Sequence, residues 1–132
     1  MATIERFEDI LSWIEARKLN RMIHELVRDN RFGHDFDIRK QIVRSAGSVM
    51  DNIAEGFERG GNREFVQFLF IARGSCGELR SQLYRAIDKG MLREAESKEI
   101  FIQAKNVSSL ILRLINYLKR SDITGLKYKD RE

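Results

Sequence analysis

The chain has 132 residues, of which 42% are apolar and 33% charged, and its formal net charge is +4. This length allows a core of its own, and this composition argues against intrinsic disorder. There is no proline and only one cysteine, Cys76. These counts favour long helices joined by short turns, and they exclude an internal disulfide or a cysteine-based zinc site. No apolar run approaches the roughly 20 residues that span a bilayer, and no signal-peptide core follows the N-terminus, so we expect a cytoplasmic protein with no membrane partner.

Four stretches of the chain have helical periodicity, and none alternates with period two. The first covers residues 8–28, and its predicted core face is Leu11, Ile14, Leu19, Met22 and Leu26, widened by Ile10, Trp13, Ile23 and Val27. A connection is predicted at residues 29–35, since Asn and Gly favour turns. The second covers residues 37–59, with the core face Ile38, Ile42, Ala46, Val49, Ile53 and Phe57. Asp37 is its predicted N-cap, and Gly60 and Gly61 end it.

The third stretch covers residues 63–89, where Asn62 is a candidate cap and Gly90 a natural residue to follow the helix. Its predicted core face is Phe65, Phe68, Ala72, Cys76, Leu79, Leu83 and Ala86. The fourth covers residues 94–120, with the core face Ile100, Ala104, Val107, Ile111, Leu114 and Leu118. Long neighbours with short connections predict an all-α, antiparallel, up-down-up-down four-helix bundle. We expect one domain over residues 1–120 and a loosely ordered tail over residues 121–132.

Two features of these helices suggest self-association. The third and fourth helices carry a second apolar set beyond their core faces, namely Val66, Leu69, Phe70, Ile71, Phe101, Leu110, Leu112 and Ile115. A monomeric bundle needs about one apolar face per helix, so a second indicates burial against another subunit, although a wide core face is the simpler alternative. In addition, Gly47, Gly74 and Gly77 lie inside predicted helices, where glycine costs about 1 kcal/mol relative to alanine. We expect close backbone approach at these glycines, between helices or between subunits.

Three blocks of sequence resemble a known family. The first is the opening Phe7-Glu8-Asp9-Ile10 with Trp13, Ala16 and Leu19. The second is Gln41-Ile42-Val43-Arg44-Ser45-Ala46 with Ser48 and Asn52-Ile53-Ala54-Glu55-Gly56-Phe57. The third is Glu64-Phe65, Phe68-Leu69, Ile71-Ala72, Gly74-Ser75, Glu78-Leu79 and Gln82-Leu83. Together they resemble the four-helix-bundle proteins encoded within intervening sequences of bacterial 23S rRNA genes.

The resemblance implies an antiparallel four-helix bundle whose relatives form ring-like homopentamers. Accessory proteins of diversity-generating retroelements are similar in fold, and they are basic pentamers that associate with a reverse transcriptase and nucleic acid. No catalytic activity is established for the family. The resemblance therefore implies a homo-oligomer that binds rather than catalyses, and fold alone does not assign its ligand.

Enzymatic alternatives find little support in the residues. A di-iron bundle needs Glu-x-x-His pairs, and neither His24 nor His34 has glutamate three positions earlier. Cys76 lies on a predicted core face, where a small buried residue is a better interpretation than a nucleophile. Gly60 and Gly61 lack the lysine and hydroxyl context of a phosphate-binding loop. We expect no enzyme activity, no metal, no cofactor and no small-molecule substrate.

Polar and basic residues leave two functions open. Asn52, Glu55, Glu64 and Glu78 are interpreted first as structural groups that hydrogen-bond across helices or between subunits, with a ligand site as the alternative. The candidate nucleic-acid-binding residues are Arg39, Lys40, Arg44, Arg73 and Arg80. In a ring, such residues would repeat into a continuous positive surface that attracts the phosphates of RNA or DNA. Acidic neighbours interrupt the pattern, and no sequence run interleaves aromatic with basic residues as a base-stacking platform does. The alternative is a protein-interaction scaffold: a homo-oligomeric ring with no nucleic-acid affinity.

Overall fold

The computed structural model describes residues 4–29, 32 and 35–121, and its regular structure is entirely helical over those residues. A 3-10 turn at Phe7–Asp9 precedes four α-helices: α1 (Leu11–Val27), α2 (Phe36–Arg59), α3 (Asn62–Asp88) and α4 (Glu94–Ser121). The predicted all-α class and the four helices are confirmed. The tail predicted to be loosely ordered, apart from Ser121 at the end of α4, lies outside the described residues, as does much of the connection at residues 29–35. None of the described helices is long and apolar enough to cross a membrane.

Contacts between the helices show the antiparallel order. From Ser45–Gln82 through Ser48–Ser75 to Arg59–Glu64, residue numbers rise along α2 while they fall along α3. The pairs Phe70–Lys119 and Tyr84–Phe101 show the same relation for α3 and α4. In the part of the chain that the structure describes, α1 packs on α2 and α4 but not on α3, and α2 does not pack on α4. The end of α1 meets the start of α2, where Nε of Arg39 donates to the carbonyl oxygen of Val27, and the 3-10 turn before α1 also packs on α2, so these two helices are antiparallel. The helices therefore form an up-down-up-down bundle in which α1 and α3, like α2 and α4, are diagonal.

The core lies where the periodicity of α2 and α4 predicts it. Every residue of the two predicted core faces on α2 and α4 is buried. The face of α3 is also correct except at Phe68, which is half-buried, while Leu69 is fully buried beside it. Leu69 and Ile115 of the second apolar set belong to this core, whereas Phe70 and Ile71 are exposed. Part of that set is therefore a wide core face, and part is left on the surface.

The predicted core face of α1 is correct except near its start. Its buried members are Ile10, Leu19, Ile23, Leu26 and Val27, and Ser12 and Ala16 are buried beside them. Trp13, Ile14 and Met22 are half-buried, while Leu11 is 55% exposed. Ile10 has extended backbone, with φ −76° and ψ 122°, so the helical spacing begins only at Leu11 and does not extend back to Ile10. The centre of the Phe7 ring lies 5.1 Å from that of the Trp13 ring, which packs the preceding turn against α1.

Two predicted N-caps are also wrong. Asp35, not Asp37, caps α2, because its carboxylate accepts a hydrogen bond from the backbone N–H of Ile38. A hydrogen bond from Lys89, followed by that from Ile38, lowers the pKa of Asp35. Asn62 is the first residue of α3 rather than its cap, and its Nδ2 donates to the carbonyl oxygen of Leu118 and to Oγ of Ser121. Asn62 therefore joins the start of α3 to the end of α4.

The glycines that end helices are as predicted, but the close approach between helices occurs at a different glycine from those predicted. Gly60 (φ 108°) and Gly90 (φ 77°) adopt the left-handed conformation that ends a helix, as predicted. A Cβ added at Gly47, Gly74 or Gly77, in contrast, would meet no described atom of another element within 4 Å, so no described helix approaches closely there, and approach between subunits stays a prediction. The close approach occurs at Gly56, where an added Cβ would lie 2.6 Å from Cβ of Phe68.

We expect Gly56→Ala to destabilise the protein by about 1–3 kcal/mol, because α2 and α3 must separate to admit the methyl group. Gly47→Ala on the same helix is the matched control. Since its site is open, we expect it to stabilise the protein by up to about 1 kcal/mol through helix propensity. Urea unfolding followed by circular dichroism measures both changes. Equal effects of the two substitutions would contradict the close approach at Gly56.

Cys76 belongs to the core. Its side chain is fully buried among the apolar residues of α3 and its neighbours. Burial raises the pKa of the Cys76 thiol to about 12, against smaller lowering effects of Arg80 and Arg73. Because the thiolate is the reactive form, this environment makes a nucleophilic role untenable at neutral pH.

We expect Cys76 in the folded protein to resist a thiol-specific disulfide reagent at pH 8. A rise in pKa from 9.0 to about 12 lowers the thiolate fraction roughly a thousandfold at this pH, and burial also excludes the reagent. The same protein in 8 M urea should react promptly, with one thiol per chain. Absorbance of the released reagent measures both rates, and prompt reaction in the absence of urea would show that Cys76 is accessible.

Candidate functional site

The five candidate nucleic-acid-binding residues fall on two separate surfaces. Arg39, Lys40 and Arg44 are exposed on α2, whereas Arg73 and Arg80 are half-buried on α3 where it meets α4. Nε of Arg39 donates to the carbonyl oxygen of Val27, at 3.4 Å, and so ties α2 to the end of α1. Because α2 and α4 are diagonal in the bundle, the structure does not bring all five residues into one site.

A groove runs along the outer junction of α3 and α4, and it has two parts. The arginine pocket has a volume of about 320 Å³ and is lined by Phe70, Arg73, Gly74, Gly77, Arg80 and Ser108. The aromatic pocket has a volume of about 510 Å³ and is lined by Tyr84, Ile87, Glu94, Ala95, Lys98, Phe101, Ile102 and Lys105. Arg80 and Tyr84 are one helical turn apart, and so are Lys105 and Ser108, which places the pockets in succession along the helix pair. Together they are the α3–α4 groove.

The arginine pocket concentrates positive charge without a compensating acid. No acidic residue lines it, and neither Arg73 nor Arg80 forms an ion pair with any described residue. Nε of Arg73 is buried and has no hydrogen-bond partner among the described residues. Most buried polar groups in proteins are hydrogen-bonded, so an orphaned guanidinium N–H is unusual. Gly74 and Gly77 contribute only backbone to the wall of this pocket.

The aromatic pocket joins ring surfaces to lysines. The Tyr84 and Phe101 rings lie 4.7 Å apart with an interplanar angle of 38°, and Tyr84 is 57% exposed. Lys98 and Lys105 also line this pocket, and among the described residues Glu94 is the only acid that does so. Aromatic and basic side chains therefore do share a surface.

The sequence did not show this surface because its members come from two antiparallel helices. Lys98, Phe101 and Lys105 have the spacing of one helix face, which is the signal that could have identified them. Pairing that face with Tyr84 and Arg80 required the relative position of α3 and α4. At the far end of the arginine pocket, Nζ of Lys119 lies 5.1 Å from the centre of the Phe70 ring, another pair that only the fold brings together.

The four polar signature residues lie on α2 and α3, near the junction of the two helices. Glu78 lies 3.4 Å from Oγ of Ser45, which donates its better hydrogen bond, of 2.8 Å, to Gln82. Nδ2 of Asn52 donates to the backbone oxygen and to Oγ of Ser48, and the latter oxygen also lies 2.9 Å from Oγ of Ser75.

Arg59 connects the remaining two polar signature residues. Its guanidinium pairs with Glu55 at 2.9 Å on its own helix and with Glu64 at 3.8 Å across the turn between α2 and α3. These contacts tie the end of α2 to the start of α3, and they leave the carboxylates of Glu55 and Glu64 engaged with a cation. The groups therefore have structural partners within the chain.

The described residues contain no group of three His, Cys, Asp or Glu side chains placed to hold a metal ion. With Cys76 buried and its pKa raised, the chemistry that the α3–α4 groove offers is the binding of an anion or of a flat ring.

Comparison with known proteins identifies a family. No curated protein matches the chain. A family model described as the 23S rRNA-intervening sequence protein matches residues 8–113, from the 3-10 turn into the second half of α4. The chain belongs to the 23S rRNA-intervening sequence protein family.

Proposed function

We propose that the protein is a non-catalytic, cytoplasmic binding protein that associates with nucleic acid through phosphate contacts and acts as a homo-oligomer. The arginine pocket is the observation that supports this function most. It holds two guanidinium groups without ion-pair partners among the described residues, and one buried N–H without an acceptor. A phosphate can accept hydrogen bonds from the guanidinium groups of both arginines.

Assembly of several copies into a ring would multiply the modest positive charge of the single chain. The net charge of one chain is only +4, but each copy in a ring would add an α3–α4 groove and the exposed Lys40 and Arg44 of α2. Repeated basic surfaces generate a field that attracts polyanions and releases their counterions on binding. The description of the family refers to 23S rRNA, which makes structured RNA the first ligand to test.

We expect the protein to bind a fluorescently labelled structured RNA with strongly salt-dependent affinity. With about four phosphate contacts, the affinity should fall roughly 50-fold between 50 and 200 mM monovalent salt if the contacted segment is single-stranded. Fluorescence anisotropy at a series of salt concentrations measures this slope. Heparin, a polyanion without bases, is a control for simple charge attraction. If the protein does not bind RNA at 50 mM salt, or if its affinity does not change with salt concentration, binding through phosphate contacts is contradicted.

A second candidate function is a protein-interaction scaffold, a homo-oligomeric ring with no nucleic-acid affinity. Large apolar side chains are exposed on all four helices: Leu11, Phe36, Phe70, Ile71, Tyr84 and Ile102. A ring uses two different faces of each subunit, and exposed apolar residues on the diagonal helices α2 and α4 fit that requirement. Family resemblance suggests five subunits.

We expect the wild-type protein at micromolar concentration to sediment as an oligomer of its 15.5 kDa chain. Ile71→Ser should shift the distribution towards smaller species, because the substitution removes an apolar side chain that is 52% exposed. Ser81→Ala, at another exposed position of α3, is the matched control. Sedimentation velocity measures the distribution, and native mass spectrometry with and without RNA reports subunit number and bound RNA together. A wild-type monomer at this concentration would contradict the oligomer in both candidate functions.

A further inference from the structure

We infer that the α3–α4 groove is a binding site for a single strand of nucleic acid, with phosphates in the arginine pocket and a base stacked in the aromatic pocket. The inference rests on the proposed function, and it specifies the form of nucleic acid and the residues that hold it. It concerns the α3–α4 groove alone and assigns no role to the basic residues of α2.

The arginine pocket offers hydrogen-bond donors to an external acceptor. Arg73, Arg80 and Ser108 all line it, and none has a hydrogen-bond or ion-pair partner among the described residues. Nε of Arg73 is shielded from solvent, so a ligand in the pocket would meet the outer nitrogens of the guanidinium rather than Nε. An anion that enters from outside would accept from these donors and neutralise the paired charges. The guanidinium fork matches the oxygens of phosphate in geometry as well as in charge.

Gly74 and Gly77 would let a strand of nucleic acid approach the backbone of α3 closely. Gly74 and Gly77 lie inside α3, although no described residue would obstruct a Cβ at either position. Glycine weakens a helix interior, so these residues are unfavourable for the folded chain alone. Both line the arginine pocket, where the absent side chains leave room for a sugar-phosphate backbone between Arg73 and Arg80. Seven residues separate the two arginines, which is about 10 Å along the helix axis, so two successive phosphates could each meet one guanidinium.

The aromatic pocket favours an unpaired base. Tyr84 is 57% exposed and rests against Phe101, so one face of a firmly supported ring is open to a ligand. In a duplex the base faces are already stacked on their neighbours, and only a single strand can present a free face to this ring. Lys98 and Lys105 flank the ring where the phosphates on either side of a stacked base would pass. One helical turn joins Tyr84 to Arg80, so a single strand can occupy both pockets.

A second copy of this chain is the rival occupant, and the charges argue against it. The α3–α4 groove is lined by Arg73, Arg80, Lys98 and Lys105, and Glu94 is the only acid that the described part of the chain places there. A copy with the same net charge of +4 would meet like charge here unless it presented an acidic surface. A polyanion meets no such repulsion.

The test uses fluorescence anisotropy of the full chain with a labelled octamer of uridine, at salt concentrations between 50 and 200 mM. Arg73→Gln combined with Arg80→Gln should reduce the salt slope by about 1.4, since each phosphate contact to a single strand contributes about 0.7. Arg17→Gln combined with Arg21→Gln on α1, which does not contact α3, is the matched control and should leave the slope unchanged.

Tyr84→Leu should weaken binding about 5- to 150-fold, the range expected for one stacked base, and it should leave the salt slope unchanged because no charge is removed. Phe36→Leu is the matched control, since Phe36 has a similar exposed fraction but lies on α2.

Gly77→Ala distinguishes an effect on binding from an effect on the stability of the fold. It should weaken binding by filling the pocket, while the melting temperature stays the same or rises because the site is open in the folded chain.

The outcomes are distinguishable. If the wild-type protein binds neither the octamer nor structured RNA, the proposed function fails together with this inference. If the wild-type protein binds, but the groove variants match it in affinity and slope, only the groove assignment is overturned. If the Arg73 and Arg80 substitutions change the sedimenting species and not the affinity, the groove is an interface between copies and the inference is wrong.

Discussion

The packing of α2 on α3 is the constraint from which the arrangement of the bundle follows, because these two helices approach so closely at Gly56. A Cβ at Gly56 would lie 2.6 Å from Cβ of Phe68, so no residue larger than glycine fits there without a shift. Only Gly60 and Gly61 separate the two helices, and Gly60 has φ 108°. Once this pair is fixed, α1 can pack only against the free side of α2, and α4 only against the free side of α3.

Such a close approach determines what kind of side chain can occupy the junction. Ser45, Ser48 and Ser75 are small enough for it, but their hydroxyls must be satisfied away from water. They are satisfied across the junction, by Gln82 and by each other, with Asn52 and Glu78 at the edges. This network gives the helix pair a register, because sliding α3 along α2 by a residue would place hydroxyls against apolar groups. The polar residues of the two helices thus have a structural explanation that involves no ligand.

The side of α3 that faces α4 is packed differently. There the helix faces α4 with large and charged side chains, and these do not fill the space between the helices. The result is the α3–α4 groove. It contains donors of Arg73 and Arg80 that have no partner among the described residues, the exposed ring of Tyr84, and two glycines that the packing of those residues does not require. One helix therefore combines a fully satisfied polar surface towards α2 with an unsatisfied one towards α4. This contrast is the reason to look for a ligand at the α3–α4 groove and not at the polar signature residues.

Much of the fold was determined by the sequence alone. Period-3.6 spacing of Ile, Val and Leu on α2 and α4 predicted which faces are buried, because an amphipathic helix has only one way to hide its apolar side. Gly60 and Gly90 marked helix ends because few other residues adopt a positive φ. Tertiary structure decided the rest. Extended backbone at Ile10 separated that residue from the helical spacing of α1 and left Leu11 exposed, and Asp35 rather than Asp37 caps α2 and also pairs with Lys89 of a distant turn. The α3–α4 groove needed the antiparallel pairing of two helices, because the residues that line it are adjacent in space and far apart along the chain.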